Sequence, residues 1–103
     1  MGEIQIIWTK KANKSLILIL DFYLEQNGNF DYCEKLLSEI IQQTNYIKVN
    51  PNIGKETNHF LIRELVFGRN SIFYVFSQTY INVLLIWDNR QDPEKLLELL
   101  NKL

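Results

Sequence analysis

The chain has 103 residues, 47% of them hydrophobic and 22% charged, with a formal net charge of −1. That is enough for one domain with a single core and too short for two, and it excludes the broad basic field that general nucleic-acid binding requires. Cys33 is the only cysteine, which excludes an intrachain disulfide and fits a reducing compartment.

The opening MGEIQIIWTKK lacks the order of charges, apolar core and small residues of a signal peptide. The longest apolar stretch, LILIL at residues 16–20, falls far short of the roughly 20 residues of a membrane span. A soluble cytoplasmic protein without membrane association is the expectation.

EIQIIW at residues 3–8 predicts a first strand. Thr9 then serves as N-cap of a helix. Ala12, Leu16, Ile19 and Tyr23 recur at spacings of four, three and four, one helical face. Ile17, Leu18 and Leu20 widen that face and predict burial on more than one side. Asn27-Gly28-Asn29 ends the helix. A second helix is expected over residues 31–47, with Cys33, Leu36, Leu37, Ile40 and Ile41 as its stripe. A turn this short makes an antiparallel helical hairpin. Asn50-Pro51 stops it, because proline disfavours helical geometry in the residue before it.

Three apolar runs follow at residues 59–67, 71–77 and 80–87, separated by Gly68-Arg69-Asn70 and Gln78-Thr79. Short connections predict an antiparallel meander. The middle run is apolar on both alternating faces, Ile72, Tyr74 and Phe76 against Phe73 and Val75, so both faces need cover. The hairpin supplies one. Asp92-Pro93-Glu94 starts a last helix striped by Leu96, Leu99, Leu100 and Leu103. That helix closes the second face or is held by a partner. The order predicts an α+β layer fold, with residues 1–103 as one domain. The first strand belongs either at an edge of the meander or beside a central strand.

In order and spacing, IIWTKKA, DFYL, NPNIG, LIREL and WDNRQDPEKL resemble the RelE/ParE family of bacterial type II toxin–antitoxin toxins. The resemblance covers nearly the whole chain and is closest to the ParE-like side and its plasmid-stabilisation relatives. It implies a growth-inhibiting toxin neutralised by a small antitoxin. Some members cut messenger RNA on the ribosome, and others poison DNA gyrase without being enzymes.

Metal-free RNA cleavage needs a base for the 2′-hydroxyl, cations for the phosphorane and a donor for the leaving oxygen. The resemblance makes Arg63, in LIREL, and Arg90, in WDNRQ, the catalytic candidates. The chain departs from the RNase pattern elsewhere. Asn70-Ser71 stands where the family has a tyrosine–arginine pair, with Arg69 out of phase. Leu96 takes roughly the place of a family tyrosine, and the one histidine, His59, sits at a strand start. A non-catalytic, gyrase-type poison is therefore favoured. The alternatives are a ribosome-dependent endoribonuclease and a decayed toxin that only binds antitoxin.

The residues also have structural readings. Arg63 either pairs with Glu64 or Asp88 or points to an open functional face, and the favoured reading is the open face, with Glu64 turned to the rim. Arg90 either acts or braces Asp88 or Asp92. No cofactor or metal is expected, since neither a Gly-rich phosphate loop nor zinc spacing occurs. The expected partner contact is an antitoxin segment on Leu96, Leu99, Leu100 and Leu103. A homodimer stays open.

Overall fold

The computed structural model describes residues 3–103. The elements are β1 (Gln5–Trp8), α1 (Lys10–Asn27), α2 (Asp31–Val49), β2 (Lys55–Glu56), β3 (Arg63–Phe67), β4 (Asn70–Phe76), β5 (Tyr80–Asp88) and α3 (Pro93–Asn101). The strands form one sheet in the order β1-β5-β4-β3-β2. β3, β4 and β5 are the expected antiparallel meander, and β1 pairs with β5 in parallel at one edge. Two expectations need correction. The first of the three apolar runs becomes strand only at Arg63, because residues 59–62 form a turn with Leu61 at a positive φ. The loop after α2 contributes β2, which pairs Lys55 with Glu64 and Glu56 with Arg63.

The helix ends follow from local chemistry. Thr9 Oγ1 accepts the Ala12 N–H at 3.1 Å and opens α1. Gly28 closes it at φ 69°, where a residue with a Cβ would be strained. Asp92 accepts the Glu94 N–H at 3.0 Å, and Pro93 fills the first turn of α3.

Burial divides the sheet between two cores. Ala12, Ile19 and Tyr23 of α1 and Leu36, Ile40 and Ile47 of α2 pack on Ile72, Tyr74, Ile81, Val83 and Ile86. On the opposite face Leu100 of α3 packs on Ile62, Phe73, Leu85 and Trp87. A bulge makes this division possible. Phe73 pairs with Leu85 and Tyr74 with Val83, so Leu84 is the extra residue of β5. The extra residue resets the side-chain alternation, placing Val83 and Ile86 on one face although three positions separate them. Ser15 repairs the ladder there, since its Oγ accepts the Ile86 N–H at 3.0 Å.

The hairpin is buried on one side only. Ile17, Leu18 and Phe22 of α1 and Ile41 of α2 are more than half exposed, and Leu37 is 39% exposed. This corrects the expectation of a doubly buried α1 and narrows the α2 stripe. No further layer lies over the hairpin among the described residues. Likewise no helix there is long and apolar enough to cross a membrane.

Candidate functional site

Arg63 is on the hairpin face of β3, in phase with Leu65 and Phe67, which join the first core. Its Nη1 donates to the Gly54 carbonyl at 2.7 Å and, more weakly, to that of Asn52 at 3.4 Å. Its Nη2 meets Glu56 at 3.3 Å, and the guanidinium lies 5.9 Å from the Phe76 ring centroid. The side chain is only 18% exposed. The favoured open-face orientation is thus corrected. Arg63 turns under the loop of residues 50–56 and fastens it. Neither Glu64 nor Asp88 is its partner. Glu64 faces the other side and accepts from Ser71 Oγ at 2.6 Å, and Asn89 Nδ2 donates to that same hydroxyl at 2.8 Å.

Tyr74 is the second fastener of the loop, and sequence reasoning did not assign it. Its hydroxyl donates to the Pro51 carbonyl at 2.7 Å and accepts the Gly54 N–H at 2.9 Å. Burial raises its pKa above the usual tyrosine value, against smaller opposing effects from the Gly54 hydrogen bond and the Arg63 charge. A signal was present. A tyrosine in a strand covered on both faces must find a partner for its hydroxyl, and a polar loop ending in glycine offers backbone groups. Gly54 is needed for this approach, since a Cβ there would lie 2.7 Å from the Tyr74 oxygen.

Arg90 leaves β5 two residues after its partner. Its Nη2 meets Asp88 Oδ2 at 3.0 Å, and its backbone N–H and Nε donate to Oδ1 at 2.9 and 3.3 Å. The guanidinium stacks on Tyr23, 4.9 Å from the ring centroid, and the Tyr23 hydroxyl donates to the same carboxylate. Asp88 is buried, with 6% of its side chain exposed, and these donors satisfy the charge there. Bracing of Asp88 was one of the two readings of Arg90. The partners of Arg63 and Asp88 on β4 are Tyr74 and Asn70. Those positions are four residues apart, about 13 Å along a strand. The two arginines therefore occupy different ends of the sheet and share no ligand. His59, the remaining candidate base, places Nε2 2.9 Å from Asn101 Oδ1 of α3.

Beside Arg90 the α1–α3 junction opens into a groove of about 750 Å³. Leu18, Ile19, Phe22 and Leu99 supply apolar walls, and the charged lining is balanced, Arg90 and Lys95 against Asp88 and Glu98. At the far end Lys11 Nζ donates to the Lys102 carbonyl and ties the two helices. The leucine stripe of α3 is divided. Leu100 is buried and Leu96 half-buried in the second core, whereas Leu99 and Leu103 are 37% and 40% exposed. Only the latter pair can face an incoming chain without rearrangement. Sequence reasoning read Leu18 as part of the buried face of α1 and assigned Phe22 no role. Among the described residues no three His, Cys, Asp or Glu side chains gather as metal ligands.

The order and layering define a small α+β domain that carries an amphipathic groove and two separately engaged arginines. The chain belongs to the family of the ParE toxin of type II toxin–antitoxin systems, parDE, whose model matches residues 6–93. No curated protein matches it. Among solved structures it is similar to a chain of the chromosomal ParDE toxin–antitoxin system from P. aeruginosa. The TM-score is 0.69 at 23% identity, over 82% of this chain and 94% of the other. At that identity the likeness establishes the fold alone. The family makes the chain the toxin component of a toxin–antitoxin system.

Proposed function

We propose that this toxin arrests growth by binding DNA gyrase rather than by cutting RNA, and that it acts in the cytoplasm. The observation that carries the reading is the engagement of both candidate arginines. Arg63 is committed to the loop carbonyls and Arg90 to Asp88 and Tyr23. RNA cleavage requires cations and a proton acceptor converging on one phosphate. Arg63 and Arg90 stand at opposite ends of the sheet, and His59 is held against α3. A binding toxin needs surface rather than a catalytic set.

In the same reading a small antitoxin neutralises the toxin by laying an amphipathic helix into the α1–α3 groove. Its apolar face meets Leu18, Phe22 and Leu99, and its polar side chains meet Lys95 and Glu98 of α3. The test of the target uses purified chain with gyrase and supercoiled plasmid. The reading expects cleaved plasmid to accumulate and supercoiling to slow. Unchanged gyrase turnover, together with cleavage of messenger RNA on ribosomes, would replace it with the endoribonuclease reading.

A further inference from the structure

Residues 57–62 form a closed loop between β2 and β3. The Thr57 N–H and Oγ1 both donate to the Ile62 carbonyl, at 3.1 and 2.8 Å. The His59 N–H donates to Thr57 Oγ1 at 3.1 Å, and the Ile62 N–H to the His59 carbonyl at 3.0 Å. Ile62 is buried in the second core, and the His59 ring contacts Asn101 of α3. The loop is thus fixed at its base and flank. At its tip it holds out Phe60, 87% exposed, and Leu61, 69% exposed. Leu61 has φ 64°, the left-handed region where glycine or asparagine sits with less strain. A large apolar side chain is kept outward there, against both strain and exposure. Backbone strain of this kind clusters at binding sites.

Resting on the reading that the toxin binds a target protein, we propose that the Phe60–Leu61 tip is its target contact and inserts into an uncharged apolar socket of that protein. The charge pattern selects the partner. Residues 57–62 contain no Lys, Arg, Asp or Glu, and the adjoining Glu56 side chain is 83% exposed. Phosphates and anionic lipid headgroups find no cation on the tip itself, and Arg63, which lines the hollow beside it, is already held by the Gly54 carbonyl and Glu56. A protein socket requires only two apolar side chains in fixed positions, and a preformed loop lowers the ordering cost of docking. The tip shares no lining residue with the α1–α3 groove, so the proposed antitoxin and target surfaces are separable.

The test compares wild type with the double variant Phe60→Ser, Leu61→Asn. Asparagine accepts the left-handed conformation, and Phe60→Ser alone serves as a second variant should the double one melt early. With an unchanged melting temperature, the expected result is at least about tenfold weaker binding to purified gyrase and loss of growth arrest on expression. Wild-type binding and arrest by a folded variant would overturn the tip. Failure of the wild-type chain itself to bind gyrase overturns the gyrase reading, and growth arrest then decides the tip by the same comparison. A wild-type chain that neither binds gyrase nor arrests growth removes both. Sedimentation of wild type, but not the variant, with phosphatidylcholine–phosphatidylglycerol vesicles would reveal a lipid surface and overturn the protein socket.

Discussion

Arg63→Ala separates a fastener from a catalyst. The side chain donates to the Gly54 carbonyl at 2.7 Å, and its charge strengthens that bond. Losing a hydrogen bond of this kind in a partly buried place costs about 1.5 kcal/mol. The Glu56 pair adds about 0.5 kcal/mol or less, because the glutamate is 83% exposed and solvent screens it. Contact with the Phe76 face at 5.9 Å adds about 0.5 kcal/mol. Together these come to about 2–2.5 kcal/mol. In a domain of this size each kcal/mol moves the melting temperature by about 4–8 °C, so Arg63→Ala should melt about 10 °C or more below wild type. Arg63→Lys should fall between, since a lysine keeps one donor and the charge but loses the fork. Thermal unfolding followed by circular dichroism reads the shift. A purely catalytic arginine predicts no shift, and a melting temperature within about 2 °C of wild type would refute the assignment of Arg63 to the loop.

Tyr74→Phe should destabilise by about 2 kcal/mol, because the Pro51 carbonyl and Gly54 N–H lose their partner; urea denaturation measures it. With its folded pKa raised above about 10, the Tyr74 hydroxyl contributes stability that is intact below pH 10. That contribution falls as pH rises from there toward the folded value, so Tyr74→Phe should flatten this alkaline decline. Gly54→Ala should cost about 2 kcal/mol or more by driving a methyl against the Tyr74 oxygen, and a wild-type denaturation midpoint would contradict the close approach. In α3, Leu100→Ala should cost about 2–3 kcal/mol and Leu97→Ala no more than about 0.5 kcal/mol. Equal effects of those two substitutions would show that the helix faces the sheet differently.

Most of the fold was legible because it rests on local chemistry. Thr9, Gly28 and Asp92-Pro93 mark helix ends by hydrogen-bonding and backbone rules that act within four residues. The apolar alternation of β4 required cover on both faces, and α1, α2 and α3 provide it. What stayed hidden depends on distant contacts. The bulge at Leu84 is visible only once β4 and β5 are in register, and β2 exists only because its two residues find β3. Leu18 read as core because periodicity gives the width of an apolar stripe but not which part of it the sheet covers. Arg63 and Arg90 were singled out through the family resemblance of LIREL and WDNRQ. The orientation of Arg63 was misjudged, since a two-residue alternation identifies faces without telling which one a loop will close. Asp88 was a named partner for both arginines, and only the tertiary fold places Tyr23 there to complete its hydrogen bonds.

The central claim, a toxin that acts on gyrase without catalysis, is tested most directly in cells within minutes of inducing the chain. Labelled methionine and labelled thymidine incorporation would be followed together, for wild type, Arg63→Ala and Arg90→Ala. The account predicts that thymidine incorporation falls first while methionine incorporation continues. A prompt stop in methionine incorporation, relieved by either arginine substitution in a variant that remains folded, would contradict it and establish messenger RNA cleavage instead.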